Sequence, residues 1–470
     1  MLESLRTALV RAKGRAAIRM TGGARRPGEP PIVRPRLPFL GHALAMGRDL
    51  TALLRECQRE HGDVFTLLVA GRRMHFVCDP HSYPHVLKAQ DNLTFHEIGQ
   101  EIGTRAFGYF EPPPGPDYDE LERYYHDHLK NAALGPLTSR MEERLRVAFD
   151  RFAGDDWQDE GLFDFSARVI FAAGMETLYG EGIADAAALR DFQRTDRWFP
   201  LLAAGVPAGA FPGLLRARER LLARVDRMRP DASAFIRARD LLLARMTTPR
   251  NRQHLQVGIL WASQANTLPA AFWSLAHLLC DPHGRAAVVA EVEERGFADL
   301  KRLPKLFSSI CESLRLCSES LTIRLVGRDC ELGLADGRSI ALRAGDRVAL
   351  CPQLMHRDPE IFADPERFRF DRFLSEGGGP RQFSKRGQRL PIPLMPYGGG
   401  VSMCPGRFLA NNEVMQFAGL ALTRLEIELS EPSLPPLDKT RAGLGVLSPT
   451  RDIRCRIRRR PARTAVNAAS

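Results

Sequence analysis

The 470-residue sequence contains no apolar run of the length needed to cross a lipid bilayer. We therefore expect no transmembrane anchor. Residues 1–26 instead combine many arginines with scattered Leu, Val and Ile, and Glu3 is the single acidic residue among them. Such a segment suits contact with an anionic membrane surface, an organellar presequence or a poorly ordered basic tail, and all three stay open.

Closely spaced cysteine pairs are also missing, although the chain has nine cysteines. A CxxC pair would indicate a zinc site, and an odd number of scattered cysteines argues against a disulfide framework. We expect unpaired thiols in a reducing compartment. This favours a cytoplasmic protein that has at most a peripheral contact with a membrane.

No run of basic residues is interleaved with aromatic residues, although the formal net charge is +11. A nucleic-acid groove needs that combination, so nucleic-acid binding is not expected. Internal repeats and linkers rich in Ser and Gly are absent too. We expect residues 1–29 to form a basic tail and residues 30–470 to form a single domain.

The most informative segment that is present runs from Tyr397 to Arg407, YGGGVSMCPGR. Three consecutive glycines let the backbone turn tightly and approach a flat cofactor. Cys404 follows at the start of a helix-like run, where the helix dipole and free loop amides favour an ionised sulfur. The pattern indicates a thiolate that binds a metal, and a small structural cysteine is the alternative.

Two further segments predict a buried network of charges. Glu312 and Arg315 lie three residues apart on a predicted helix, and residues 370–373 supply a second arginine, Arg372. One carboxylate between two guanidinium groups favours bidentate hydrogen bonds away from solvent.

Together, these segments resemble the cytochrome P450 family over about residues 30–458. The order is the family's: a long central helix, a Glu-x-x-Arg helix, an aromatic meander and a Gly-rich loop with a cysteine. The resemblance implies a mainly α (α+β) fold, with a large helical body, a small β-rich region, and heme b between the central helix and the cysteine loop. Counted from residues 356–359, the family's meander arginine is Arg372, so Arg367 of the competing tetrapeptide PERF is expected at the surface.

The resemblance also implies which residues hold the cofactor. Cys404 would be the axial ligand of the heme iron, and a structural triad would lock the meander. The triad residues are Glu312, Arg315 and Arg372. The loop residues expected at the heme are Tyr397, Gly398, Gly400, Ser402 and Gly406. Two residues before the cysteine, where many members carry Arg or His, this chain has Ser402. The Trp-x-x-x-Arg motif that helps to hold heme in many members is also absent. Lys130 and Arg324 are therefore the cations expected to bind the heme propionates.

The central helix, residues 255–279, contains Pro269, which removes an amide donor and should open the helix near Ala265. Family members carry a proton-delivering acid and threonine here, and the alignment places Ala265 and Asn266 at those positions. Asn266 can bind a water but cannot supply a proton as a carboxylic acid does; packing that opens the helix is its alternative role. Thr267 and Ser263 would hold relay waters or bond back to their own helix. The expected catalytic residues are Ala262, Ala265, Asn266 and Thr267.

The segment WASQANTxPAxFW resembles the branch of the family that contains sterol 7-alpha- and 12-alpha-hydroxylases and prostacyclin synthase. That branch implies a lipophilic substrate, such as a sterol, a steroid or a fatty-acid derivative, held by burial of apolar surface. The expected pocket residues are Phe95, Phe107, Trp261, Leu321 and Leu444.

The implied activity is that of a heme-thiolate monooxygenase that hydroxylates this substrate with molecular oxygen. Electrons would come from a ferredoxin with its reductase or from a flavoprotein reductase, because the sequence has no flavin or nicotinamide segment. Positive charge near Arg407 and in the cluster Arg381, Lys385, Arg386 and Arg389 would steer an acidic donor, and a monomer is expected. One alternative is an isomerase or dehydratase that acts on an epoxide, endoperoxide or hydroperoxide without external electrons. A protein that binds heme and steroid without turnover is the other.

Overall fold

The computed structural model describes residues 25–35, 37, 39–227 and 229–461. The basic segment 1–24 lies outside the described residues. Helices α1 to α15 span Ala43–His61, Tyr83–Lys88, His96–Phe107, Pro116–His128, Leu134–Phe152, Leu162–Tyr179, Ala186–Ala203, Leu214–Asp226, Ala234–Met246, Pro249–Gln264, Thr267–Cys280, Pro282–Arg295, Pro304–Cys317, Pro352–His356 and Arg407–Arg424. Strands β1 to β14 span Val64–Val69, Arg72–Val77, Leu93–Thr94, Gln158–Gly161, Ser318–Ser320, Thr322–Val326, Cys330–Gly333, Ser339–Leu342, Arg347–Leu350, Ser384–Lys385, Gln388–Arg389, Leu425–Leu429, Leu444–Val446 and Arg454–Arg459.

Helices form most of the molecule, which confirms the expected mainly α architecture. The sequences of α6 and α11 are apolar on all faces, and such helices belong in the centre of a helical body. Nearly every side chain of both helices is buried, and they pack with α5, α13 and α15 around the main hydrophobic core. Within the described part of the chain, no helix is both long and apolar enough to span a membrane.

Strands β1 and β2 form an antiparallel hairpin whose turn residues are Ala70 and Gly71. Both turn residues have positive φ, 49° and 76°, as a two-residue hairpin turn requires. These two strands belong to a five-stranded sheet of the described residues, with the strand order β1-β2-β9-β6-β3 and with β2 parallel to β9. Strand β6 of this sheet carries Arg324, which contacts the cysteine loop.

The folded body includes Glu29, the last residue assigned to the tail from the sequence. Its side chain is buried and accepts hydrogen bonds from Arg73 at 2.8 Å and from Arg343 Nη2 at 2.7 Å. These ion pairs fasten the N-terminal end of the described chain to the sheet.

The structure brings the three triad residues together in the interior. Arg315 donates to both oxygens of Glu312, at 2.7 and 2.9 Å, and Arg372 Nε donates to Glu312 Oε1 at 2.6 Å. All three side chains are at most 3% exposed. Arg372 also donates to the carbonyls of Ala363 and Arg367, so it ties the meander to α13. The Arg367 side chain is exposed, as expected.

Replacing Arg372 by Ala should therefore destabilise the fold strongly. The change leaves the Glu312 carboxylate with one cation and strands several buried carbonyls, and breaking such a pair costs about 3 to 5 kcal/mol. The matched control is Arg367→Ala, which removes an exposed arginine from the same meander and should change the free energy of unfolding by less than about 0.5 kcal/mol. Urea unfolding followed by circular dichroism measures both. Equal effects of the two changes would contradict the assignment of Arg372 to the network.

Candidate functional site

The glycine-rich loop before α15 holds Cys404 in a defined position. Gly398 and Gly400 have φ of 71° and 70°, which side chains rarely tolerate. The Cys404 amide donates to the Tyr397 carbonyl at 3.0 Å and closes the loop. A Cβ on Gly399 would lie 2.7 Å from Leu87 Cδ1, so the loop packs directly on α2.

Cys404 is the exposed member among nine cysteines that are otherwise buried or half-buried. Protein atoms around the sulfur raise the pKa of its thiol by desolvation, while the backbone amides of Gly406 and Arg407 and the charge of Arg407 act in the opposite direction. The loop therefore aims hydrogen-bond donors at the sulfur, but the net direction still favours the protonated thiol. A cation bound to the sulfur would supply the missing stabilisation of the thiolate.

Arg324, one of the two propionate partners expected from the sequence, contacts the cysteine loop. Its buried guanidinium donates to the carbonyl of Gly399 at 2.8 Å, within the cysteine loop, and lies 5.8 Å from the ring of Phe95. Burial lowers the pKa of Arg324, and an anionic partner would offset that cost. Lys130, the other expected partner, follows the end of α4 with its amine against His126.

His96 is a further candidate that the sequence analysis missed. It begins α3, next to Phe95, and its ring packs edge-on against Tyr118 of α4 at 4.5 Å. Its Nδ1 is buried and has no hydrogen-bond partner among the described residues. Together with the thiol loop and Arg324, this unsatisfied nitrogen fits a planar cofactor with acidic side groups. A lone histidine at a helix start gave no such signal in the sequence.

The central helix is open at the predicted place. Helix α10 ends at Gln264, α11 begins at Thr267, and Ala265 and Asn266 lie between them. Pro269 has no amide hydrogen to donate to the Ala265 carbonyl, which accounts for the interruption. Ala262 lies exposed on the last turn of α10.

Asn266 fastens this opening to β13. Its Oδ1 accepts a hydrogen bond from the Val446 amide at 2.9 Å. Gly445 beside it has φ of 141°, and a Cβ there would lie 2.1 Å from Asn266 Oδ1. This contact corresponds to the packing role left open for Asn266, and it leaves the side-chain nitrogen to bind a water.

The two neighbouring hydroxyls bond back to their own helix. Thr267 donates to the Ser263 carbonyl at 2.8 Å, and Ser263 donates to the Leu260 carbonyl at 2.9 Å. Each hydroxyl oxygen keeps lone pairs that can accept from a water. Their part in proton relay stays a prediction.

A buried carboxyl that the sequence analysis missed lies behind the opening. Glu413 of α15 and Gln264 of α10 both approach Gly174, where a Cβ would lie 2.9 Å from Glu413 Oε1 and 2.5 Å from Gln264 Nε2. Burial raises the pKa of Glu413 to about 8, so this carboxyl is mainly protonated at neutral pH. Three segments that are distant in the sequence contribute to this cluster, so no sequence motif predicts it.

Aromatic side chains form one wall beside the opening. The Trp261 ring lies 5.1 Å from Phe107 and 4.0 Å from Phe199, a residue that the sequence analysis missed. Leu444 lies on β13, and Leu321 packs near Gly443 just before that strand. Phe95 is placed elsewhere, beside Arg324 rather than with the aromatic wall.

The contact between Gly445 and Asn266 can be tested by a double-mutant cycle. Gly445→Ala should destabilise the fold by about 1 to 3 kcal/mol, because it forces a Cβ into the Asn266 side chain and strains a positive φ. Asn266→Ala in the same chain should recover part of that loss, because it removes the clash. Thermal unfolding gives the coupling, and Gly377→Ala, with open space around it, is the control. Strict additivity of the two changes would contradict the contact.

Comparison with known proteins identifies the family to which the chain belongs. The family model described as Cytochrome P450 matches residues 30–159 and 226–455. Cytochrome P450 7A1 of Oryctolagus cuniculus is 36% identical over 467 residues, covering 91% of this chain and 93% of the relative. Cholesterol 7-alpha-monooxygenase of Cricetulus griseus is 36% identical over 470 residues, with coverages of 91% and 93%. Prostacyclin synthase of Bos taurus is 35% identical over 480 residues, with coverages of 93% and 95%. The chain therefore belongs to the cytochrome P450 family of heme-thiolate enzymes.

Proposed function

We propose that the chain is a monooxygenase that hydroxylates a lipophilic substrate of the sterol, steroid or fatty-acid type. The observation that carries the proposal is the presentation of Cys404 on a rigid glycine loop, together with an aromatic wall beside the opened central helix. The names of the 7-alpha-monooxygenase relatives point to the same reaction class.

Heme with a thiolate ligand supplies the activation of molecular oxygen. The chain's own residues hold the group and shape its surroundings. Cys404 would bind the iron, the amides of Gly406 and Arg407 donate toward its sulfur, and Arg324 with His96 or Lys130 would bind the propionates. The loop that carries Cys404 is supported by its packing on Leu87 of α2.

Proton supply is the step for which this chain differs most from the family pattern. Ala265 has no ionisable group, so Asn266 Nδ2 and the lone pairs of Thr267 and Ser263 would position waters at the helix opening. The Val446 amide donates to Asn266 Oδ1, so the oxygen holds the strand and the two N–H groups of Nδ2 would serve a water. Asn266 and Thr267 are proposed as residues that bind water, not as acids.

The electron donor would bind at the face around Arg407. Val401 and Phe408 are exposed there, at 62% and 40%, and the Arg407 guanidinium lies 4.3 Å from the Phe408 ring. Two members of the expected basic cluster, Lys385 and Arg386, are paired with Asp358 and Asp79. These pairs offset part of the charge of the cluster, whereas Arg407 carries its charge beside the ligand loop, where it would attract an acidic donor.

The second candidate function is rearrangement of an oxygenated lipid without external electrons. It is favoured by Ala265, which replaces the proton-delivering acid, and by the similarity to prostacyclin synthase. Arg324, Cys404 and the aromatic wall would serve this reaction in the same way.

One experiment separates the two functions. Purified holoprotein is incubated with cholest-4-en-3-one, with fatty acids, and with a fatty-acid hydroperoxide and an endoperoxide. Each incubation is run with and without a ferredoxin and its reductase, and products are identified by mass spectrometry. The proposal expects products that carry one added oxygen atom and depend on the reductant. Conversion of a fatty-acid hydroperoxide or endoperoxide without reductant would instead establish the isomerase. Cys404→Ala should abolish the observed activity, whichever of the two it is, together with the red-shifted Soret band of the ferrous carbonyl complex. The control Cys330→Ala should keep the activity and the band.

The role of Arg407 predicts a change in the rate of the first electron transfer. Arg407→Glu should slow reduction by an acidic ferredoxin several-fold at low salt, because it reverses a charge beside the ligand loop, and the difference should shrink at high salt. Arg389→Glu makes the same charge change at an exposed position of the basic cluster and should have a smaller effect. Stopped-flow reduction under carbon monoxide measures both. If the two variants slow equally, net charge and not this face steers the donor.

A further inference from the structure

A buried cation lies beside the aromatic wall and is only partly satisfied by the chain. Arg441, in the turn that precedes β13, is 7% exposed. Its Nη1 donates to Asp196 Oδ2 at 2.5 Å. Trp261 of the aromatic wall donates to the other oxygen of the same carboxylate at 2.8 Å. Asp196 on α7 therefore couples Arg441 directly to the wall.

The other edge of the Arg441 guanidinium has no partner. Its Nε and Nη2 are buried, and neither makes a hydrogen bond within the described chain. These two N–H groups lie side by side on one edge of the planar group and point in parallel, which is the arrangement that binds oxygen acceptors in a bidentate manner. A buried charged donor without an acceptor is costly, so this edge calls for an oxygen that the described residues do not supply.

The position of the pair relates this edge to the substrate. Trp261 lies one helical turn before Ala265, and the strand that follows Arg441 binds Asn266 at the helix opening. Phe107 and Phe199 flank Trp261 with apolar surface. An apolar body packed on this wall would place one end near the helix opening and the other near Arg441.

We propose that Arg441, held by Asp196, anchors the oxygen-bearing end of an amphipathic substrate. This inference rests on the proposed function and narrows its substrate class. The ligand has an apolar skeleton that packs on Trp261 and Phe199, and a keto, hydroxyl or carboxylate oxygen that accepts from Nε and Nη2. Burial of apolar surface alone, as expected from the sequence, then accounts for only part of the affinity.

The test compares three ligands: cholest-4-en-3-one, hexadecanoic acid, and 5α-cholestane, which has no oxygen. Binding to holoprotein is followed by the heme absorption change and by tryptophan fluorescence, so no turnover is needed. Arg441→Met should weaken binding of at least one oxygen-bearing ligand by about ten- to a hundredfold, as loss of a charge-assisted hydrogen bond does, and leave 5α-cholestane unchanged. Arg441→Lys keeps a cation for Asp196 but lacks the pair of parallel N–H donors. Its affinity for the oxygen-bearing ligand should lie between those of the wild type and Arg441→Met.

Asp196→Asn distinguishes a carboxylate oxygen from a ketone oxygen at the Arg441 anchor. Removing the negative charge should tighten binding of hexadecanoic acid if a carboxylate occupies the anchor, and leave a ketone nearly unchanged. A purely structural arginine predicts no such gain, and Arg389→Met is the control for lost surface charge. If the oxygen-bearing ligands bind the wild type and Arg441→Met equally, the anchor is refuted while the proposed function stands. If none of the three ligands binds wild-type holoprotein, the lipophilic substrate class of the proposed function is refuted as well.

Discussion

The position of the cysteine loop depends on one buried carboxylate. Glu312 accepts hydrogen bonds from Arg315, Arg372 and the Arg369 amide, and both guanidinium groups extend to meander carbonyls. Charges buried this deeply are stable only when every partner is present. The network thus joins α13 to the meander that precedes the loop, and the geometry around Cys404 inherits that rigidity.

A second constraint comes from Pro269, which opens the central helix and frees backbone and side-chain groups next to the cofactor site. Asn266 uses one of these groups to bind β13, and Gly445 provides the room. The opening is therefore a fixed structure held from both sides. Its polar groups are amides and hydroxyls, which arrange water but do not ionise, and this is why both oxygenation and rearrangement are chemically compatible with it.

Polar groups in the otherwise apolar interior fall into two classes. The Glu312 network is saturated within the chain. Among the residues that the structure describes, two buried donors of Arg441 and one buried nitrogen of His96 find no partner, and Glu413 is a buried carboxyl with a raised pKa. Saturated networks stabilise the fold, whereas incompletely satisfied groups mark positions where a cofactor, a water or a substrate completes the hydrogen bonding.

The sequence by itself determined the features that reside in short segments: the thiol loop, the Glu312–Arg315 pair and the helix opening before Pro269. Each follows from local backbone preferences or from a motif whose residues lie close along the chain. Arg372 lies 60 residues from Glu312, and the family resemblance assigned it to the network. Only the tertiary structure decided that Phe95 faces Arg324 and that Glu413 and Gln264 both approach Gly174. It also brought Arg441 to Asp196 across 245 residues. These contacts depend on how separate helices and strands pack, and residue spacing carries no information about that packing.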